Sequence, residues 1–162
     1  MTTYYTRIES PIEPLLLASD GESLTSLFMV TQRHGPFFSE SWIRDDNAKP
    51  FAEARRQMEA YFAGELTEFD LPLNMIGTEF QKTVWRELLN IPFGVTISYG
   101  ELAERVGNPS ASRAVGAANG RNPISIIVPC HRVIGSNGKL TGYGGGIERK
   151  EWLLAHESKF MS

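Results

Sequence analysis

A single cysteine, Cys130, stands in the 162 residues, and it rules out more architectures than any other feature of the chain. No internal disulfide can staple the fold, and no zinc site with two or more thiolate ligands can organise it. The chain therefore has to be held by a hydrophobic core. At 41% hydrophobic and 22% charged residues it has the composition of an ordinary globular protein, long enough for one compact domain or two small ones. A lone thiol also fits a reducing, intracellular setting. Met1 to Ile8 carries no basic stretch followed by an apolar run, which predicts no secretory signal. The longest apolar stretches, Pro14 to Ala18 and Ile124 to Pro129, are too short to cross a bilayer. The expectation is a cytoplasmic protein without membrane contact.

The periodicity of the chain changes along its length. Thr3 to Ile8, Leu15 to Ser19 and Leu24 to Thr31 are apolar or β-branched runs separated by turn signals at Ser10-Pro11, Asp20-Gly21 and Gly35-Pro36, and they read as short strands. From Phe51 onward, Phe51, Ala54, Met58, Tyr61 and Phe62 share a helical face, with Gly64 as the stop. Leu66 to Gly77 has no helical period and reads as the connection between two domains, 1–76 and 77–162. The second half is punctuated by Thr78 with Gln81 and by Ser98 with Glu101, each a capping-box pattern opening a helix. The first of these helices carries Phe80, Val84 and Leu88 on one stripe, and the second stops at Gly107. After the Asn108-Pro109 turn, Ser110 is the expected cap of a third helix running to about Asn119. Two short helices joined this way are a helix-turn-helix candidate. The second is thin (Ala111, Ala114, Gly116, Ala117 and Ala118), so a partner backbone can approach it closely. Ser125 to Val128 reads as a buried strand or extended segment. Asn137-Gly138 reads as a hairpin turn between Val133-Ile134 and Lys139-Leu140, and Ile147 to Glu157 as a last helix with Trp152, Leu153 and Leu154 facing inward.

Net charge is −3, which argues mildly against a polyanionic partner. Its distribution argues the other way: between Arg105 and Lys150, seven basic residues stand against one acidic residue, Glu148, leaving +6 on this stretch and −9 on the remainder. Such asymmetry suggests a basic face on an acidic body, the usable signal for a polyanion; a solvated surface with uneven charge is an equal reading. The chemistry centres on Ile127-Val128-Pro129-Cys130-His131-Arg132-Val133. A cysteine after an apolar run is commonly a small buried hydrophobe. Here an imidazole and a guanidinium flank it, and either raises the thiolate fraction that nucleophilic chemistry needs. His131 can accept the thiol proton. A carboxylate would then fix its tautomer, and Glu157 is a downstream candidate that spacing alone cannot single out.

Pro129-Cys130-His131-Arg132-Val133 resembles the signature of the O6-alkylguanine-DNA alkyltransferases, also called methylated-DNA–protein-cysteine methyltransferases. The likeness runs from about Gly77 to Glu157. It includes Ile97-Ser98-Tyr99, Arg113-Ala114-Val115-Gly116, Asn122-Pro123, the Gly-rich loop Thr141 to Gly146, and Lys150 to Glu157. In the first half, Tyr61-Phe62-Ala63-Gly64 is similar to the family's N-terminal domain. The implied fold is α+β: a small ribonuclease-H-like sheet domain followed by a winged-helix-like helix-turn-helix domain.

The resemblance also implies a function and a site. The function is direct-reversal DNA repair, an irreversible, single-turnover transfer of a methyl or larger alkyl group from guanine O6 to Cys130 without a cofactor or metal. Thymine O4 is a second candidate substrate. The partner is double-stranded DNA, bound from the minor groove with the damaged nucleotide flipped out. The protein is expected to act as a monomer, cooperation along DNA being left open. Cys130 corresponds to the alkyl acceptor, His131 to the base that deprotonates it through a water, and Glu157 to the carboxylate that orients the histidine. Asn122 braces the turn before the active site, and Tyr99 helps rotate the nucleotide and bonds guanine N3. Arg113 fills the gap in the stack, with Ala111 and Ser112 beside it at the DNA. Tyr143, Gly144 and Gly145 form the loop over the flipped base, near Val133 and Lys150. Gly144 stands where many relatives have serine or arginine, and Ser112 where alanine is common. Without the likeness, Tyr99 reads as a core aromatic, Arg113 as a phosphate contact, and Lys150 and Glu157 as solvated helix residues. Three rivals follow: a non-catalytic binder of alkylated DNA, a helix-turn-helix regulator, and a cysteine hydrolase.

Overall fold

The computed structural model describes residues 2–29, 38–138 and 146–161. Three antiparallel strands, β1 (Tyr4–Ile8), β2 (Leu15–Ser19) and β3 (Leu24–Met29), form the predicted sheet, and a two-residue strand, β4 (Ile43–Arg44), adds to β1 in parallel to give the order β3-β2-β1-β4. The register runs Tyr4↔Ser19 to Ile8↔Leu15 and Leu15↔Met29 to Ser19↔Leu24. Helix α1 (Phe51–Phe62) follows, and Phe51, Ala54, Met58 and Tyr61 join Leu15, Leu17, Leu24, Leu27 and Met29 in one buried cluster. A fully buried side chain of this size contributes about 1.5–3 kcal/mol. A core of this kind supplies what no disulfide here can.

The second half begins with α2 (Glu79–Leu88), whose capping box forms as expected: Thr78 Oγ1 accepts from the Gln81 backbone N–H at 3.1 Å, and the Gln81 side chain accepts from the Thr78 N–H at 2.9 Å. Its buried residues are Val84, Trp85 and Leu88, while Phe80 in the first turn is 37% exposed, so the apolar stripe starts one turn later than the spacing predicts. Then come β5 (Ile97–Ser98), α3 (Tyr99–Arg105) and α4 (Ser112–Gly120). Ser98 caps α3 by accepting from the Glu101 N–H at 3.0 Å, but the Glu101 carboxylate turns to Arg105 at 2.6 Å, one helical turn ahead. Ser110 does not cap α4. Its hydroxyl bonds Asn108 Oδ1 at 3.1 Å inside the turn, and Ala111 occupies the N-cap. The Trp85 indole N–H donates to the Ala118 carbonyl at 2.8 Å, fixing α4 against α2.

After a 3-10 turn (Cys130–Arg132), β6 (Val133–Ile134) pairs in parallel with β5, and α5 (Ile147–Phe160) closes the fold. Val133-Ile134 thus takes its partner from Ile97-Ser98. Residues 139 and 140, the second arm of the expected hairpin, lie outside the described residues, as do residues 30 and 31 of the third strand and the Gly35-Pro36 turn.

The outer edge of β3 joins the two halves. The Leu24 N–H donates to the Pro72 carbonyl at 2.9 Å and its carbonyl accepts from Asn74 N–H at 2.8 Å. Three residues on, Leu27 does the same with Pro123 and Ser125, both at 2.9 Å. One strand edge thereby holds the stretch around Pro72 to Asn74 and the segment leading to Cys130, which satisfies backbone groups that an open edge would leave unpaired.

Candidate active site and nucleic-acid interface

Residues 125–128 do not form the expected buried strand or extended segment. Beyond the bridge to Leu27, the chain makes a tight turn in which Ile127 N–H bonds the Ser125 carbonyl at 2.8 Å and Val128 N–H the Ile124 carbonyl at 3.0 Å. Ile126 sits at φ 73°, fully buried. A β-branched residue in the left-handed region costs about 1–3 kcal/mol and persists only where its surroundings impose it. Asn122 is one such surrounding group: its Nδ2 donates to the Val128 carbonyl at 2.7 Å and its Oδ1 accepts from Ile124 N–H at 2.9 Å. Both ends of the turn are therefore held by one side chain, and Pro129 and Cys130 follow at once. Asn119, at the end of α4, donates to the Cys130 carbonyl at 3.3 Å.

Cys130 is 4% exposed, and burial pushes its thiol up to about 11, against the opposing influence of an Asn122 hydrogen bond and the Lys150 charge. An unassisted thiolate would cost about 5 kcal/mol at neutral pH. His131 and Glu157 are buried together, with His131 Nε2 2.7 Å from Glu157 Oε2. Burial is the largest influence on the imidazole and holds its pKa below the usual histidine value, although Glu157 works against it. Burial also disfavours the Glu157 carboxylate, but hydrogen bonds and charges from His131 and Arg132 overcome it and hold the group far below the usual carboxylate range. A neutral imidazole beside an ionised carboxylate donates through Nε2, which leaves Nδ1 as a lone-pair acceptor. His131 Nδ1 is buried and has no hydrogen-bond partner among the described residues.

The structure adds groups that the sequence reading did not assign. Arg132 is buried and grips Glu157 with Nε at 2.8 Å and Nη2 at 2.9 Å, while its Nη1 donates to the Ile91 carbonyl at 2.6 Å. Tyr61, from α1, donates its hydroxyl to Glu157 Oε2 at 2.7 Å, and Gly94 N–H donates to Oε1 at 3.2 Å. Arg132 stood in the motif, but nothing local marks it as the carboxylate's partner. For Tyr61 one signal existed: a tyrosine on a core-facing helical position needs a partner for its hydroxyl.

Glu157 and Lys150 are not solvated helix residues; both are on the buried face of α5. Lys150 is fully buried, with Nζ 2.5 Å from the Val133 carbonyl and 5.8 Å over the Tyr99 ring. Burial lowers it to about 8, offset in part by the Cys130 charge. Tyr99, Val133 and Lys150 are thus brought together. Tyr143, Gly144 and Gly145 lie outside the described residues. Ala111 and Ser112 are half-buried at the start of α4, whereas Arg113, Ala114 and Ala117 form an exposed, nearly smooth face of the same helix, with Arg121 exposed just past its end.

The basic stretch is not one basic face. Arg132 and Lys150 are buried, Arg105 pairs with Glu101 and Glu87, and Arg149 pairs with Glu13. Arg113 and Arg121 are exposed, and Lys139 lies outside the described residues. Among the described residues, no helix is long and apolar enough to cross a membrane, and no three His, Cys, Asp or Glu side chains are grouped to hold a metal ion.

Residues 79–159 match the family described as "6-O-methylguanine DNA methyltransferase, DNA binding domain", and residues 3–75 match the "ribonuclease-like domain" of the same family. A methylated-DNA–protein-cysteine methyltransferase from Mycobacterium tuberculosis is 58% identical over 154 residues, covering 95% of this chain and 92% of the relative. One of the same description from Methanosarcina acetivorans is 56% identical over 154 residues, covering 95% and 97%. The crystal structure of Mycobacterium tuberculosis OGT in complex with DNA superposes with a TM-score of 0.90 at 56% identity, over 97% of this chain and 94% of that one.

Proposed function

The chain belongs to the 6-O-methylguanine DNA methyltransferase family, and from that premise we propose that it repairs alkylated guanine in DNA by moving the alkyl group irreversibly from O6 to Cys130 Sγ. The observation that carries the proposal is the buried Cys130-His131-Glu157 arrangement. A thiol too weakly acidic to ionise unaided is followed in the chain by a histidine whose tautomer Glu157 fixes, leaving Nδ1 as the free acceptor. A buried nitrogen of this kind is suited to an ordered bridging water. The thiol proton passes by that route to His131 Nδ1, and the sulfur electron pair attacks the alkyl carbon. The carbon–oxygen bond breaks, a carbon–sulfur bond forms, and the guanine leaves as an anion that then takes up a proton. Donors to the departing ring stabilise the developing charge, a role we assign to the Tyr99 hydroxyl. The Lys150 charge, close to Cys130, favours the thiolate.

Guanine O6 is inaccessible inside duplex DNA, so the nucleotide must leave the stack, at a cost of a few kcal/mol. Arg113 stands exposed on the smooth side of α4, where it can fill the gap from the minor groove, with Ala111 and Ser112 beside it. Asn122 braces the turn that presents Cys130, and from the family likeness we assign contacts with the flipped base to Tyr143, Gly144, Gly145, Val133 and Lys150. In this reading residues 1–76 support the site and residues 77–162 bind DNA and accept the alkyl group. The protein works as a monomer inside the cell, without a cofactor.

The test is duplex DNA carrying isotopically labelled O6-methylguanine. The label is expected on the peptide containing Cys130, at one methyl per molecule, and Cys130→Ser is expected to bind the damaged duplex without taking up label. Repeated turnover, or label on another residue, overturns the mechanism. Binding without transfer by the unaltered protein would leave only a binder of alkylated DNA.

A further inference from the structure

We propose that Tyr61, on the sheet-covering helix of the first half, is a positioning residue for alkyl transfer: its hydroxyl sets how much of the Glu157 charge reaches His131. The inference rests on His131 being the base that takes the Cys130 proton.

Tyr61 is fully buried and lies 96 residues from Glu157 in sequence, yet its hydroxyl donates to Glu157 Oε2 at 2.7 Å. That same oxygen faces His131 Nε2 at 2.7 Å and Arg132 Nη2 at 2.9 Å. A carboxylate oxygen shared among three donors gives each a weaker bond than it would give alone. Arg132 brings a full positive charge that helps keep Glu157 ionised. A neutral phenol brings none, so its main electrical effect is to draw on charge that would otherwise stabilise a protonated His131.

The ring is placed for this by contacts that do not involve the hydroxyl. It lies 5.4 Å from Phe69, 6.0 Å edge-on from Phe93 and 5.0 Å from the His156 ring. His156 Nε2 is 2.8 Å from the Tyr61 carbonyl. Helix α1 therefore grips α5 at two successive residues, His156 through the Tyr61 backbone and Glu157 through the Tyr61 hydroxyl. Among the described residues, the other charged or titratable groups that act on His131 are Arg132 on its own turn, beside Cys130, and Lys150 on α5. Helix α2, which also packs against this turn, turns Val84, Trp85 and Leu88 inward.

Removing the hydroxyl leaves more of the Glu157 charge for His131, so the imidazolium gains stability and the base is lost to protonation at a higher pH. The experiment is the single-turnover transfer rate at saturating duplex DNA against pH. Tyr61→Phe is expected to move the acidic limb upward by about half a unit, the effect of one neutral hydrogen bond. Incorporating 3-fluorotyrosine at position 61 alone strengthens the donor with almost no change in shape, and is expected to move the limb downward. Phe62→Leu, in the same aromatic cluster but without a bond to Glu157, is expected to lower thermal stability and leave the limb in place. A limb unmoved by both Tyr61 replacements, or moved equally by Phe62→Leu, overturns the inference. His131→Gln separates this failure from that of the underlying reading. If the limb vanishes in His131→Gln but ignores Tyr61, only the role of Tyr61 falls. If it persists in His131→Gln, His131 is not the base and both fall.

Discussion

His131 Nε2 lies 2.7 Å from Glu157 Oε2, with both side chains sealed from solvent. Burial of this pair, with the donors around Glu157, makes the folded state sensitive to acid. Both groups have folded-state pKa values below their unfolded ones, His131 chiefly through burial and Glu157 through donors that outweigh burial. The unfolded chain therefore binds more protons than the folded one as pH falls, and stability is lost. The loss begins for His131 as pH drops below about 6.5 and for Glu157 below about 4.3. Denaturation midpoints are expected to change little around pH 7 and to fall steadily from pH 6 to 4. Glu157→Gln is expected to cost about 3–5 kcal/mol at pH 7, because Arg132 is left buried without its counter-charge. Its stability is also expected to depend less on pH below 5 than that of the unaltered protein. A parallel acid profile in both proteins would show that other carboxylates dominate.

Asn122 links the turn geometry to the reactivity of the thiol. Its amide holds both Val128 and Ile124 and also bonds toward Cys130. Asn122→Ala leaves the buried Ile124 N–H unpaired, at about 1–3 kcal/mol, leaves the Val128 carbonyl with the Cys130 N–H as its remaining donor, and releases the left-handed Ile126. The expected outcome is a loss of about 2–5 kcal/mol in chemical denaturation, together with slower alkylation of Cys130 by a small thiol reagent. Asn122→Asp keeps the acceptor for Ile124 but sets a carboxylate against the Val128 carbonyl. It is expected to be worse than alanine in the thiol assay, because negative charge beside Cys130 opposes its ionisation.

Much of this fold is written locally. Leu15–Ser19, the helix from Phe51 and the Thr78 capping box follow from apolar period and capping chemistry within a few residues. Residues 125–128 misled because an apolar run bounded by prolines looks extended. What bends it is the Asn122 side chain, with Leu27 on the edge of β3, far earlier in the chain, holding its start. The site divides the same way. Cys130 and His131 announce themselves as neighbours, and Glu157 came from family likeness because spacing cannot select one acid among several. Tyr61 and Arg132 converge on Glu157 only through tertiary packing. The charge surplus of Arg105 to Lys150 was visible as a sum, but its partition among buried, paired and exposed cations is a property of the folded chain.

That partition changes the expected salt response. If all seven basic residues contacted phosphate, the slope of log affinity against log salt would be about −6; with Arg113 and Arg121 as the exposed pair on and beside α4, it is about −2. Titration of an undamaged duplex between 50 and 200 mM salt distinguishes the two. A slope near −6 would mean that cations held internally here are released to DNA on binding.

Arg113 allows base extrusion to be separated from chemistry. It is exposed on α4, whereas Cys130, His131 and Glu157 are buried. If its side chain fills the space left in the stack, Arg113→Ala slows repair of O6-methylguanine in duplex DNA even when every molecule is bound. Loss of a few kcal/mol of offset to unstacking corresponds to a rate lower by about ten- to a hundredfold. The same variant is expected to react at a nearly normal rate with free O6-alkylguanine base, which needs no flipping. A phosphate contact gives a different pattern: weaker binding, a salt slope reduced by about one, and a normal rate at saturating duplex. The two are told apart by the single-turnover rate at saturating DNA set beside the free-base rate. Equal losses on both substrates would mean that Arg113 supports the shape of the active site, although no bond from it to that site is present among the described residues.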